Sequence, residues 1–184
     1  MGTLKTSNIQ SISGSGTVTL GTSGETFALG TGAKSSFLYP AFEAKGSAEQ
    51  TGVSDNTWTK VTMNTEIFDT NSMYDASTNY RFTPTVAGKY FVYAGMGLYG
   101  GTSDQLQIAN LSIYKNGSNY KYVVNNFNGS YPHNEAGLSL STVVEMNGSS
   151  DYVELYARGN VLSGNVTFEP QNTIGLFGSY RIGT

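Results

Sequence analysis

The sequence predicts an all-β chain: an antiparallel β-sandwich of about ten strands, preceded by a short extended or β-forming leader. Three observations predict it. Apolar and polar residues alternate with a period of two in run after run, as a strand with one buried face requires. Asn116-Gly117, Asn128-Gly129 and Asn147-Gly148 stand between such runs, and Asn-Gly is the strongest short hairpin signal. No stretch sustains helical periodicity, while Thr, Val and Tyr, which favour strands, abound.

Residues 1–36 stand apart, with one aromatic, Phe27, among many Gly, Ser and Thr. Thr17-Val-Thr-Leu-Gly-Thr22 recurs nine residues later as Thr26-Phe-Ala-Leu-Gly-Thr31. Each copy reads as a short strand closed by a Gly turn, and two such strands cannot bury their own faces. The segment is therefore expected to be either a flexible linker or a surface that packs against copies of itself or another protein. Both readings make it an attachment region.

Residues 37–184 form the expected domain. Strands are expected near Tyr39–Lys45, Thr57–Met63, Lys89–Tyr99, Gln105–Lys115, Asn119–Phe127, Gly137–Glu145, Tyr152–Arg158, Asn165–Phe168 and Thr173–Ile182. In 152–158, Val153, Leu155 and Ala157 share one face, and Tyr152, Glu154, Tyr156 and Arg158 share the other. In 105–115 the phase changes between Leu106/Ile108 and Leu111/Ile113, which predicts a β-bulge at Ala109-Asn110. The four prolines fall at run edges, as strand interiors require. Sequential short strands with such turns read as a jelly-roll sandwich.

The stretch Trp58…Asn64…Tyr74-Asp75…Phe82-x5-Gly88-x-Tyr90 resembles the signature of the complement C-one-q globular-head family, a branch of the tumour-necrosis-factor-like jelly rolls. Pro40–Ala44, Leu111–Gly117, Leu140–Tyr156 and Phe177–Ile182 follow in family order. The resemblance implies a jelly-roll head that assembles as a homotrimer. The leader, with Leu4-Lys-Thr-Ser-Asn-Ile-Gln10 and Gly16-Thr-Val-Thr-Leu-Gly-Thr22, is similar to small structural proteins of tailed bacteriophages. That second likeness implies a place on a virion, in a tail or head fibre or on the capsid surface.

Composition removes several chemistries. With no cysteine, disulfides and thiolate metal sites are excluded. A formal charge of −3 argues against phosphate-driven nucleic-acid binding. No apolar run is long enough for a membrane span, and the first residues hold no signal-peptide core, so neither membrane insertion nor secretion is expected. His133 is the only histidine, so a Ser-His-Asp triad or a multi-imidazole zinc site has almost no raw material. Glu145 and Glu154 form the one conceivable glycosidase pair, but read as solvating the outer face. Asp69 and Asp75 bracket a polar loop with oxygens for calcium, in a spacing better suited to turns.

The tyrosines point elsewhere. Thirteen is high, and Tyr99, Tyr120, Tyr131 and Tyr156 cannot all be core. Tyr156 is the candidate for a trimer interface. Asn126, Phe127, Asn128, Tyr131 and His133 are the candidate ligand-binding set, at the end of the fifth expected strand and in the loop that follows. The function expected is non-enzymatic: a trimeric head that attaches to a virion protein through residues 1–36 and recognises a host-surface glycan or protein. A capsid decoration protein without receptor binding is the alternative, and a small glycan hydrolase the third.

Overall fold

The computed structural model describes residues 40–127, 131–171 and 173–183. The leader, residues 1–36, and the Asn128-Gly129 pair lie outside the described residues. Thirteen strands form, every named pairing is antiparallel, and no helix long and apolar enough to cross a membrane occurs among the described residues. They are β1 (Ala41–Lys45), β2 (Gln50–Val53), β3 (Thr59–Lys60), β4 (Thr65–Asp69), β5 (Tyr74–Asp75), β6 (Arg81–Phe82) and β7 (Gly88–Tyr99). Then come β8 (Leu106–Lys115), β9 (Ser118–Asn126), β10 (Glu135–Met146), β11 (Val153–Val161), β12 (Val166–Glu169) and β13 (Leu176–Gly183).

The first sheet runs β2-β12-β7-β13-β1-β4, with β10 along the other side of β7. The second runs β5-β6-β11-β8-β9, with β3 on β11. From β7 to β12 the chain crosses between sheets at every connection except the β8–β9 hairpin, which is the jelly-roll path. Between the sheets, Phe42, Tyr74, Phe82, Tyr90 and Phe177 pack ring on ring, with centroids of neighbouring rings 4.5–6.1 Å apart. All five are buried. The residues that carry the resemblance are thus largely packing residues: Tyr74, Phe82 and Tyr90 are core rings. Gly88 has φ +148°, and a Cβ there would meet the Gly183 carbonyl at 2.3 Å. Asn64 accepts a hydrogen bond from the Ser47 amide at 2.8 Å.

The major strands lie where the alternation places them, and β11 buries Val153, Leu155 and Ala157 inward. Several expectations are corrected. Four short strands, β2, β4, β5 and β6, arise where no strand was expected, and the run 57–63 keeps only two residues in β3. Elements of two to five residues carry too few alternations to be read, and β4 exposes its Ile67 and Phe68. The bulge on β8 falls at Gln107, not at Ala109-Asn110: Asn160 and Val161 of β11 pair with Ile108 and Leu106, so Gln107 is the extra residue. Asn116-Gly117 closes a two-residue hairpin with both φ positive, 52° and 76°. Asn147-Gly148 closes no hairpin, because β10 and β11 belong to different sheets. There the Asn147 side chain accepts from the amides of Ser149, Ser150 and Asp151 and turns the chain across the sandwich.

Candidate functional site

The expected ligand-binding loop is assembled by two strand neighbours remote in sequence. Glu135, at the start of β10, pairs with Tyr99 at the end of β7, which sets residues 100–105 beside residues 131–134. Main-chain hydrogen bonds fasten them: His133 and Leu106 exchange two bonds of 2.8 Å, the Gly100 amide donates to Asn134, and the Phe127 amide donates to Gln107. The Phe127 and His133 rings stack at 4.3 Å. Beside them lies an open hollow of about 530 Å³ lined by Asp104, Tyr131, Pro132, His133 and Asn134. Tyr131 is 78% exposed at its rim.

Phe127, Tyr131 and His133 therefore converge. Asn126 sits one residue back, in the β9 ladder opposite Ile108. Asn128 lies outside the described residues. Asp104 is the member that sequence reasoning missed. It sits in the other loop with φ 56°, and nothing local announces that this loop faces residues 131–134. An exposed carboxylate, an imidazole and a phenol around an open, ring-walled hollow offer hydrogen bonds and a stacking surface, the equipment of a polar-ligand site.

Tyr156 sits on the outer face of the second sheet, stacked on Tyr114 at 4.0 Å with the rings 15° apart. Burial pushes both phenols above their ordinary pKa. The first sheet carries its own outer aromatic group, which the sequence reading did not single out. Phe91, Tyr93 and Tyr180 lie 5.5–6.4 Å apart, beside a hollow of about 300 Å³ lined by Tyr93, Gly95, Ser139, Ser141 and Leu176. The Tyr93 hydroxyl donates to Glu43 at 2.8 Å, and burial together with that carboxylate holds it protonated far above the usual range. Gly178 makes room for the Tyr93 ring, since a Cβ there would stand 2.4 Å from it. Period-two alternation would have placed Phe91 and Tyr93 on one outward face, but only the β7–β13 pairing brings Tyr180 beside them.

The carboxylates are committed otherwise. Asp75 accepts from the Ser77, Thr78 and Asn79 amides and from the Ser77 and Asn79 side chains, at 2.6–3.1 Å. Those bonds, the Thr78 amide foremost, hold it well below the usual carboxylate range. Asp69 accepts from the Asn71 and Tyr74 amides. Both thus serve as turn caps, and among the described residues no three His, Asp or Glu gather as metal ligands. Glu145 is exposed on β10 of the first sheet, while Glu154 is on the outer side of β11 in the second, so the sandwich stands between them. Nor does Glu154 face water as expected. It is 3% exposed and closed onto Lys60 at 2.5 Å. Glu145 instead borders a cleft of about 500 Å³ at the opposite end from the loops, where Lys115 pairs with Asp151 at 3.0 Å. The Asn116 and Lys115 side chains hold the Asp151 carboxyl below its ordinary pKa.

No protein-family model matches this chain. No curated protein matches it. Solved structures do. Eiger TNF from S. frugiperda is 8% identical with a TM-score of 0.53, over 79% of this chain and 94% of that one. Murine APRIL at pH 5.0 is 10% identical with a TM-score of 0.51, over 77% of this chain and 98% of that one. The globular domain of zebrafish complement 1qA protein is 16% identical with a TM-score of 0.49, over 78% of this chain and 97% of that one. At such identities the likeness is one of fold, and the chain has the antiparallel jelly-roll fold of tumour-necrosis-factor-like proteins.

Proposed function

We propose that this protein is a non-enzymatic recognition head of a virus particle. It assembles as a homotrimer, attaches to a virion protein through residues 1–36, and presents the Asp104–Tyr131–His133 hollow to a host-surface ligand. The observation that carries the reading is the polarity of the domain. The Pro40 carbonyl accepts from the Arg181 amide at the end where β7 begins, so the first described residue stands at that end. The hollow lies where β7 ends. Twelve residues of extended β7 separate the two ends by roughly 40 Å. A head joined at one end and carrying an exposed polar hollow at the other suits attachment and display.

Self-association is assigned to the outer face of the first sheet rather than to Tyr156. Phe91, Tyr93 and Tyr180 offer partly exposed ring surface beside the glycine-floored hollow, whereas Tyr156 is engaged with Tyr114. Three weak sites carried together then bind by avidity, with gains of up to ~10²–10⁴ where geometry permits. Light scattering on the full chain tests the assembly. A mass near three times 19.7 kDa supports the trimer, and Phe91→Asp should return it to one. The recognition reading fails if the purified protein neither binds host cells nor slows adsorption of the parent virus.

A further inference from the structure

The outer face of the second sheet carries chemistry that the loop hollow does not use. Trp58 reaches across it, with centroid distances of 6.1 Å to Tyr114 on β8 and 6.4 Å to Tyr122 on β9. Beside them on the same face lie the small polar side chains Ser112 and Asn110 of β8, both buried, and the exposed Val124 of β9 opposite Asn110. With Tyr156 stacked on Tyr114 and the Trp58 ring tilted 57° to Tyr114 and 73° to Tyr122, four rings gather into one stepped patch, and Tyr122 is 55% exposed at its margin.

Two cations stand in this patch, in opposite states. Lys60 is consumed: it pairs with Glu154 and donates to the Asn79 carbonyl at 3.2 Å. Arg158 is not. Its guanidinium lies over the Trp58 ring, 5.1 Å from the centroid. Among the described residues it forms no ion pair, and its Nε is buried without a hydrogen-bond partner. A guanidinium carries five donors in a planar fork suited to a carboxylate, and stacking on an indole fixes that fork in place. Positive charge with unused donors, set beside an exposed ring face, is complementary to a ligand that is apolar on one side and anionic at its edge.

We infer that this face binds a carboxylated saccharide, a uronic-acid unit whose ring packs on the exposed Tyr122 against the Trp58 edge and whose carboxylate takes the terminal nitrogens of Arg158. A pyranose presents an apolar C–H face and polar edges, which the ring patch and its rim match. An extended peptide is disfavoured here. It docks by adding main-chain bonds at a sheet edge, and β11 and β8 are each paired on both sides, so the edge open to it is that of β9, one strand removed from Arg158 on β11. The site is on the flank of the sandwich, independent of the loop hollow, and goes beyond the recognition reading above.

Trp58 is the only tryptophan, so its fluorescence reports this face alone. The full chain is titrated with hexagalacturonate and, separately, with neutral maltohexaose, with calorimetry as a second readout. Hexagalacturonate should give a saturable change in Trp58 emission, weakened as salt rises to about 0.5 M. Arg158→Gln should weaken binding by roughly tenfold or more, and Arg158→Lys by less, because the charge stays while the fork is lost. The double variant Tyr131→Ala, His133→Ala should bind as the parent does. No saturable response up to about 10 mM overturns the proposal. So does equal binding of maltohexaose, unchanged binding by a folded Arg158→Gln, or loss of binding in the loop variant. The last outcome would move the ligand to the hollow; failure to adsorb to host cells, by contrast, tests only the recognition reading.

Discussion

Two aromatic clusters lie on either side of the second sheet, and their ring geometry is nearly the same. Inside, Phe42 stacks on Tyr74 at 4.6 Å and on Phe82 at 4.5 Å. Outside, Tyr114 stacks on Tyr156 at 4.0 Å under Trp58. What separates them is water. Phe42 and Phe82 are fully buried, whereas Tyr122 at the margin of the outer group is more than half exposed. Ring contact by itself therefore says little about stability. Area withdrawn from water decides it, and the outer rings keep enough exposure to meet a ligand.

Substitutions can break that contrast, and stability is compared at one protein concentration because assembly shifts it. The largest effect belongs to Phe42→Ala, which removes the ring that touches Tyr74, Phe82 and Phe177. A loss of about 3–5 kcal/mol is expected, read as a lower urea midpoint with an unchanged slope. Tyr74→Phe comes next. It keeps the ring but removes the hydroxyl that donates to the Met63 carbonyl at 2.7 Å inside the core, at a cost of about 1–2 kcal/mol.

Asp75→Asn is smaller and depends on pH. The carboxylate next to Tyr74 is held below its ordinary pKa by the Thr78 amide and the Asn79 side chain. Its contribution is thus complete above the unfolded value of ~3.9 and is lost as pH falls through the lower folded value. The melting temperature of the variant should trail the parent by a few degrees at pH 7, with the gap narrowing below about pH 4. A gap that stays constant on acidification would place the effect outside that carboxylate. The smallest change is expected for Tyr122→Ala, within about 0.5 kcal/mol by urea unfolding. A loss as large as that of Phe42→Ala would make the outer cluster a second core and erase the contrast.

The core half of this contrast was legible in the sequence. Tyr74, Phe82 and Tyr90 fall in the motif, and the inward set of β11 follows from alternation. Phe127 and His133 were legible as well, being close along the chain and flanking one turn-rich stretch. Asp104 was not, because only the Tyr99–Glu135 pairing brings its loop to them. Trp58 and Arg158 are a hundred residues apart and meet through the short β3–β11 pairing, which two residues of β3 could not announce.

The Asn-Gly pairs draw the line most sharply. Asn116-Gly117 and Asn147-Gly148 carry the same local signal, and both turn the chain with a glycine at positive φ. The first closes a hairpin within one sheet and the second carries the chain from one sheet to the other. Strand period, inward face and turn position are set by neighbours within a few residues, through backbone sterics and the pleat, so the sequence by itself determined them. Which strands pair, which carboxylate finds a cation and which cation is left without one depend on groups tens of residues apart. Only the closed sandwich, by burying Glu154 against Lys60 and leaving Arg158 over Trp58, decided those.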